Sequence, residues 1–202
     1  MANFGQATFV GSDVVIRCDK NWTCCKREQA QAKTQGLDAD CPLTIKSRVS
    51  KTSKRAKKNC QARETNRFIS EMEADPKQGA VDNASSPCLA EQIERDWKKG
   101  DRATSELDMQ MDHPLEAKLG GPANTVLKAL DSEINNFFGG VAKNIGDKMR
   151  KAGKKTITSL SLVCPPPCKP PKAADKNKDY SCGKKTAYPA KPAAAKTYPA
   201  YA

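Results

Sequence analysis

The segment from Ser105 to Gly153 carries the most regular pattern in the sequence and limits the fold more than any other feature. Its start, SELDMQMD, alternates apolar and polar side chains, which predicts a half-buried strand ending at Asp112. Residues 119–122, LGGP, predict a turn, and residues 124–130 predict a second short element. A helix is predicted next, so the segment is typical of a small α+β unit.

That helix is predicted to begin at Asp131 or Ser132, either of which can cap it. Its apolar residues recur at helical spacing and are Ile134, Phe137 or Phe138, Val141, Ile145 and Met149. Gly139 and Gly140 interrupt the pattern, and each weakens a helix by about 1 kcal/mol relative to alanine. We therefore expect the helix to break there or to pack closely against another element.

Weaker patterns precede and follow this segment. Residues 6–18 predict a short hairpin, residues 22–35 a polar helix, and residues 63–74 a short amphipathic helix that ends at ADPKQG. The basic run at residues 46–58, KSRVSKTSKRAKK, has no apolar period, which favours a solvated linker. The alternative for this run is an arm that contacts phosphates. Residues 156–164 predict a strand.

A boundary is predicted at DNASSP, because turn-forming residues cluster there. Ser86 can cap the helix that follows, Pro87 suits its first position, and Gly100 suits its C-terminal end. The chain is therefore expected to comprise three parts, which are a basic cysteine-containing region over residues 1–82, a domain over residues 83–164, and an extended Pro/Ala/Lys-rich tail over residues 165–202.

The composition predicts one compact unit with poorly packed flanks, since only 38% of residues are apolar and 5% are aromatic. The net charge of +12 is unevenly spread. Residues 1–82 contain 15 basic and 10 acidic residues, residues 83–155 contain 12 and 11, and residues 156–202 contain 8 and 2. Basic flanks suit a polyanionic partner, either nucleic acid or an anionic membrane, although they also suit solubilising tails.

The nine cysteines leave two interpretations open, a disulfide network or free thiols. Their number is odd, so at least one is unpaired within a monomer. The paired CxxC spacing of zinc ribbons and fingers is missing, which makes a structural zinc site the less favoured interpretation. The cysteines are Cys18, Cys24, Cys25, Cys41, Cys60, Cys88, Cys164, Cys168 and Cys182.

The sequence start, MANFGQATFVGSDVVIRC, lacks the basic region and apolar stretch of a secretory signal peptide. No stretch approaches the roughly 18 consecutive apolar residues of a membrane span. We expect a protein that leaves the cell in which it is made, if it does, by another route.

The central segment can bring one metal ion and one base to a single phosphodiester. Asp112 at a strand end offers a hard oxygen ligand for Mg²⁺. His113, the only histidine, can take a proton from water on the other side. Asn135, one turn into the helix, can reach back to the metal with its amide oxygen, and water and substrate complete such a site.

These residues resemble a known family. MDHPLEAKLGGP, then Asn124, then LDSEINNFFGGVAKNI, look like the HNH, or ββα-metal, nuclease modules of bacterial polymorphic toxins, including effectors of type VI secretion systems. The resemblance covers roughly residues 88–152. The matching positions are Asp112, His113, Glu116, Leu119, Gly120, Gly121, Asn124, Leu130, Asp131, Ser132, Asn135, Gly139 or Gly140, and Ile145.

The resemblance implies a small ββα-metal core within an α+β fold, with helical and irregular Cys- and Lys-rich flanks. It implies His113 as general base, Asn124 as a brace for the histidine loop, and Asp112 and Asn135 as ligands of a divalent metal, Mg²⁺ before Zn²⁺, Mn²⁺ or Ni²⁺. Glu116 and Asn136 are further candidates. The lysines expected to contact nucleic acid are Lys118, Lys128 and Lys143.

The resemblance also implies partners and a destination. DNA is expected as the substrate before RNA. The family also implies synthesis in a bacterial cytoplasm, an acidic immunity protein, a secretion-machine component and injection into a target-cell cytoplasm. The alternative hypothesis is a non-catalytic basic nucleic-acid-binding protein. A third is a cysteine-rich secreted or structural protein whose tail binds cell wall or membrane.

Overall fold

The structure, a computed structural model, describes residues 7–19, 21–46, 50–113, 115–116, 119–122 and 125–164. Over these residues the fold is mixed α+β, as predicted, and the expected tail lies outside them. None of the helices in these ranges contains an apolar stretch of the length that a bilayer span requires. The elements are β1 (Ala7–Val10), β2 (Asp13–Arg17), α1 (Cys24–Ala39), β3 (Leu43–Thr44), α2 (Lys51–Ala74), α3 (Pro76–Asn83), α4 (Pro87–Lys99), β4 (Met109–Asp112), β5 (Lys128–Asp131), α5 (Ser132–Lys151), β6 (Thr156–Ile157) and β7 (Ser159–Val163).

The central segment forms two antiparallel strands followed at once by a helix. In the β4–β5 pair, Met109 lies opposite Asp131 and Asp112 lies opposite Lys128. The predicted order is confirmed, but β4 is shorter than expected and begins at Met109. Residues 104–108 form a turn instead, in which Asp108 has a φ of 46° and the Met109 amide donates to the Thr104 carbonyl at 3.0 Å. That left-handed conformation cannot continue a strand.

Helix α5 begins as predicted and runs through both glycines. The Asp131 carboxylate caps it by accepting the Glu133 amide at 2.9 Å and the Ile134 amide at 3.4 Å. Its apolar stripe is buried, with both Phe137 and Phe138 in it. The expectation of a break or a close approach at the glycine pair was wrong for Gly139, because a Cβ there would meet no atom within 4 Å.

The basic run is helical from Lys51 onward, so the linker prediction was wrong for residues 51–58. Ser50 caps α2, its hydroxyl accepting the Ser53 amide at 3.0 Å. Buried residues recur every fourth position only from Cys60, through Glu64 and Phe68 to Met72. The earlier turns of α2 are therefore exposed to solvent. An exposed helix needs no apolar stripe, so its sequence shows no apolar period.

The stop predicted at ADPKQG is confirmed, since α2 ends at Ala74. Asp75 then caps α3, and its carboxylate accepts the amides of Lys77 and Gln78 at 3.0 and 3.1 Å. Helix α4 also has the predicted ends, with Ser86 as N-cap and Gly100 in the left-handed region at its C-cap. The predicted hairpin near the start is the β1–β2 pair.

The first and last described strands share a sheet. β2 pairs in parallel with β7, and β3 pairs antiparallel with β6, so the strand predicted at residues 156–164 is present as two short strands. Two apolar clusters form the core, and each draws residues from both sides of the boundary predicted near residue 82. One surrounds α5 with α1 and β1–β2; the other lies between α2, α4 and the central hairpin.

Cysteines near these contacts form disulfides. This favours the disulfide interpretation over the one in which every cysteine is a free thiol. Cys18 pairs with Cys164 where β2 and β7 end, and Cys25 at the start of α1 pairs with Cys88 at the start of α4. Cys24 is disulfide-bonded as well. Cys41 and Cys60 are free thiols.

Two helical glycines give opposite predictions. In α3, a Cβ at Gly79 would lie 2.9 Å from the α2 backbone at Glu71 and Met72. Gly79→Ala should therefore force α3 off α2 and lower the free energy of unfolding by about 1–3 kcal/mol. Gly139→Ala, with open space around it, should raise that free energy by about 0.5–1 kcal/mol. Urea unfolding of both variants measures this, and a loss at Gly139 equal to that at Gly79 would contradict the packing described.

Candidate functional site

Asp112 is the last residue of β4, and His113 follows it directly. Strand alternation sends Met109 and Met111 into the cluster against α2 and α4, which leaves Gln110 and Asp112 on the other face. The two predicted site residues are nevertheless enclosed, because Asp112 is 6% exposed and His113 is 1% exposed. The Nδ1 atom of the imidazole is among the buried atoms.

Lys33 of α1 lies against both residues. Its ammonium donates to Asp112 Oδ2, and it also donates to the His113 carbonyl oxygen at 2.5 Å. Lys33 is itself only 8% exposed, so the ion pair is buried on both sides. Lys33 was not predicted as a site residue, although Ala30, Thr34 and Leu37 place it on the buried stripe of α1.

The surroundings of Asp112 favour its neutral form more than water does. Burial raises the pKa of the Asp112 carboxyl above its ordinary value, the positive charge of Lys33 offsets part of that rise, and the negative charge of Glu116 adds to it. In this buried position the ammonium of Lys33, and not solvent, stabilises the charged form of Asp112.

Glu116 is also buried and also faces a lysine. Its Oε2 lies 3.4 Å from the ammonium of Lys57 on α2. Helix α2 contacts the strand too, since the Gln61 side-chain amide donates to the Met111 carbonyl at 3.1 Å. The two carboxylates of the candidate site are thus matched by two ammonium groups from two different helices.

The Leu-Gly-Gly motif has a geometric role. The amides of Leu119 and Gly121 donate to the Glu116 carbonyl at 2.8 and 3.1 Å, and Gly120 has a φ of 102°. A Cβ on Gly121 would lie 2.0 Å from the Leu115 carbonyl oxygen. Only glycine fits such an approach, so the prediction that these glycines serve turn geometry is confirmed.

Asn135, in the first turns of α5, donates its side-chain amide to Gln110 Oε1. Gln110 shares a strand face with Asp112, so Asn135 lies on the same side of the hairpin as the predicted metal ligand. Asn136 is exposed on α5. The structure therefore places Asp112, His113 and Glu116 together and Asn135 beside the same strand.

The other predicted residues are more distant or lie outside the described residues. Lys128 is exposed on β5, and its ammonium donates to the Asp82 carbonyl. Lys143 is exposed on α5. Asn124 and Lys118 fall outside the described ranges.

The arrangement does not fit a divalent metal at Asp112. Oδ2 of Asp112 already accepts the ammonium of Lys33, and the side-chain NH₂ of Asn135 donates to Gln110, which leaves only the Asn135 amide oxygen for a metal. Both carboxylates are charge-balanced by lysines, whereas a site for a hard dication needs oxygen ligands that no other cation holds. A metal could bind Oδ2 of Asp112 only after Lys33 moves away.

Comparison with known proteins adds no independent support. No protein-family model, curated protein or solved structure matches the chain. The resemblance to ββα-metal nucleases therefore rests on the motif residues and on the strand–strand–helix order in which they lie.

The Lys33–Asp112 pair should contribute strongly to stability. Lys33→Met leaves a buried carboxylate unpaired, and breaking a buried pair in this way costs about 3–5 kcal/mol. Adding Asp112→Asn to the same chain should recover part of the loss, because the buried charge is then gone. Denaturant unfolding measures both. As a control, Lys98→Met removes an exposed α4 pair with Glu94 and should cost less than about 1 kcal/mol. Equal losses for Lys33→Met and Lys98→Met would contradict this account.

Proposed function

We propose that the chain is a nuclease that hydrolyses phosphodiester bonds of DNA and acts as an antibacterial effector. The observation that supports this is the position of the Asp-His pair. Asp112 and His113 end the first strand of a hairpin, and the helix that follows the hairpin presents Asn135 on the same side. This is the order in which a ββα nuclease module would place its base and its polar ligands.

In the proposed reaction, the imidazole of His113 accepts the proton of the water that attacks phosphorus, the P–O bond to the leaving sugar oxygen breaks, and a solvent water protonates that oxygen. Lys33 fixes the backbone of this residue through the His113 carbonyl, which limits where the imidazole can lie. The same ammonium would offer a positive charge to an incoming phosphate, where negative charge develops. Because His113 is 1% exposed, a substrate reaches it only after neighbouring side chains move aside.

The resemblance implies a divalent ion, Mg²⁺ before Zn²⁺, Mn²⁺ or Ni²⁺, which when bound would supply Lewis-acid stabilisation of the phosphate. The donor set around Asp112 does not fit such an ion while Lys33 is in place. The role proposed for His113 does not depend on this ion, and the metal requirement of cleavage is measured separately.

The proposed partners follow from the same resemblance. A DNA-degrading toxin requires neutralisation in the cell that makes it, and an acidic immunity protein suits a chain of net charge +12. Delivery into a target-cell cytoplasm would require contact with a component of a secretion machine.

A second candidate is a non-catalytic nucleic-acid-binding protein. The burial of the pair favours it, because Oδ2 of Asp112 accepts the Lys33 ammonium and His113 is enclosed. In that case the Asp-His pair holds the hairpin against α1 and performs no chemistry.

Plasmid cleavage separates the two candidates. Purified protein should nick or linearise plasmid DNA, and His113→Ala should reduce the rate by about 10²–10⁴-fold, as loss of a general base does. EDTA in a parallel reaction tests the metal requirement. Lys98→Met, an exposed change on α4, serves as the control for purity and folding. If the wild-type protein and His113→Ala cleave alike, or neither cleaves, His113 is not a base for DNA hydrolysis and the second candidate stands.

A further inference from the structure

We infer that the exposed N-terminal half of α2, together with the groove beside it, binds the phosphate backbone of DNA. The inference deepens the proposed function, in that it names where the substrate lies. The surface, called here the α2 basic face, consists of Lys54, Arg55 and Lys58.

The first observation is uncompensated charge. Residues 51–67 of α2 contain seven basic residues and one acidic residue, Glu64. Three of the basic residues form ion pairs with carboxylates, and these are Lys57, Arg63 and Arg67. By contrast, the three residues of the α2 basic face are exposed and form no ion pair with any carboxylate in the described part of the chain. Such a cluster supplies sequence-independent affinity for phosphates.

The second observation is a groove of about 390 Å³ between α2 and β4. Lys58 lies at it, so the groove continues the basic face. Its lining carries side-chain amides, hydroxyls and one ammonium, all of which can donate to phosphate and sugar oxygens. The amides belong to Gln61, Asn66 and Gln110, the hydroxyls to Thr65 and Thr104, and the ammonium to Lys58.

The groove has the right position for a substrate of the candidate site. Gln110 and Met111 form its wall on the β4 side, Asp112 is the last residue of that strand, and His113 follows it directly. Lys54 and Asn66 are twelve residues apart on α2, which spans about 18 Å of helix axis. That length matches about five nucleotides of one strand at 3.4 Å each.

The chemistry of the face favours nucleic acid over a membrane. A helix that lies on a bilayer needs large apolar side chains beside its basic ones. The exposed large apolar residues among those described are Val10, Val81, Val126 and Val163, and none of them is on α2.

The test is the salt dependence of DNA binding, measured in EDTA by fluorescence anisotropy with a mixed-sequence duplex. The variant is Lys54→Gln/Arg55→Gln/Lys58→Gln, which changes exposed side chains only. The control, Lys98→Gln/Lys99→Gln/Lys151→Gln, removes the same charge from exposed positions on α4 and α5. Each lost phosphate contact lowers the slope of log K against log salt by about 0.9. The α2 variant should lose about 2–3 in slope, and the control less than about 1.

Equal changes in the two variants would overturn the inference, because binding would then follow net charge and not the α2 face. Binding to vesicles of phosphatidylserine and phosphatidylcholine is the second measurement. If the α2 variant lost vesicle binding while its DNA slope matched that of the control, the face would be a membrane surface and the inference would be overturned. Plasmid cleavage reports separately on the proposed function. A changed slope without cleavage would remove the nuclease and leave the binding face, whereas cleavage with an unchanged slope would remove only the binding face.

Discussion

One face of α1 holds the central hairpin in place, and the rest of the candidate site depends on it. Cys25, Gln29 and Lys33 recur every fourth residue, so they project from the same side of the helix. Cys25 is bonded to Cys88 of α4, Gln29 Oε1 accepts the Asp131 amide of β5 at 2.9 Å, and Lys33 reaches Asp112 of β4. A covalent bond, a hydrogen bond and an ion pair thus fix α4, β5 and β4 to one helix.

This arrangement explains why the site is enclosed. A buried carboxylate is tolerated only when a cation or several donors hold it, and here Lys33 and Lys57 hold Asp112 and Glu116. The buried charges are balanced in pairs. Positive charge that no carboxylate balances lies outside, and part of it is on the first turns of α2, where it can meet a polyanion. Charge-balanced polar groups thus lie inside the fold, and exposed basic groups lie at its surface.

The parts of the fold that follow from local chemistry were predictable. Ser86 and Gly100 mark the ends of α4 through capping, and Asp131 marks the start of α5 in the same way. The apolar stripe of α5 was visible because helical spacing repeats along it. The first turns of α2 were not visible, since an exposed basic helix and a solvated linker have the same composition.

The site could be predicted only where its residues are close in the sequence. Asp112, His113 and Glu116 are neighbours along the chain, and their proximity needed no knowledge of tertiary contacts. Lys33 lies 79 residues before Asp112, and Lys57 lies 59 residues before Glu116. No local sequence pattern indicates those ion pairs. Nor does one indicate that Cys25 is bonded to Cys88 and not to another cysteine. Long-range contacts thus decide whether the Asp-His pair is open to a substrate.

The most direct test of the central claim uses the fact that His113 is the only histidine. Its imidazole Cε1–H signal can be followed alone by NMR while a phosphorothioate DNA duplex, which resists hydrolysis, is added to saturation. If a phosphodiester comes to His113, that signal must shift or broaden as DNA binds, and its titration with pH must change beside the phosphate charge. A signal and titration that stay unchanged, while anisotropy shows the protein saturated with DNA, would place the substrate elsewhere and contradict the nuclease account.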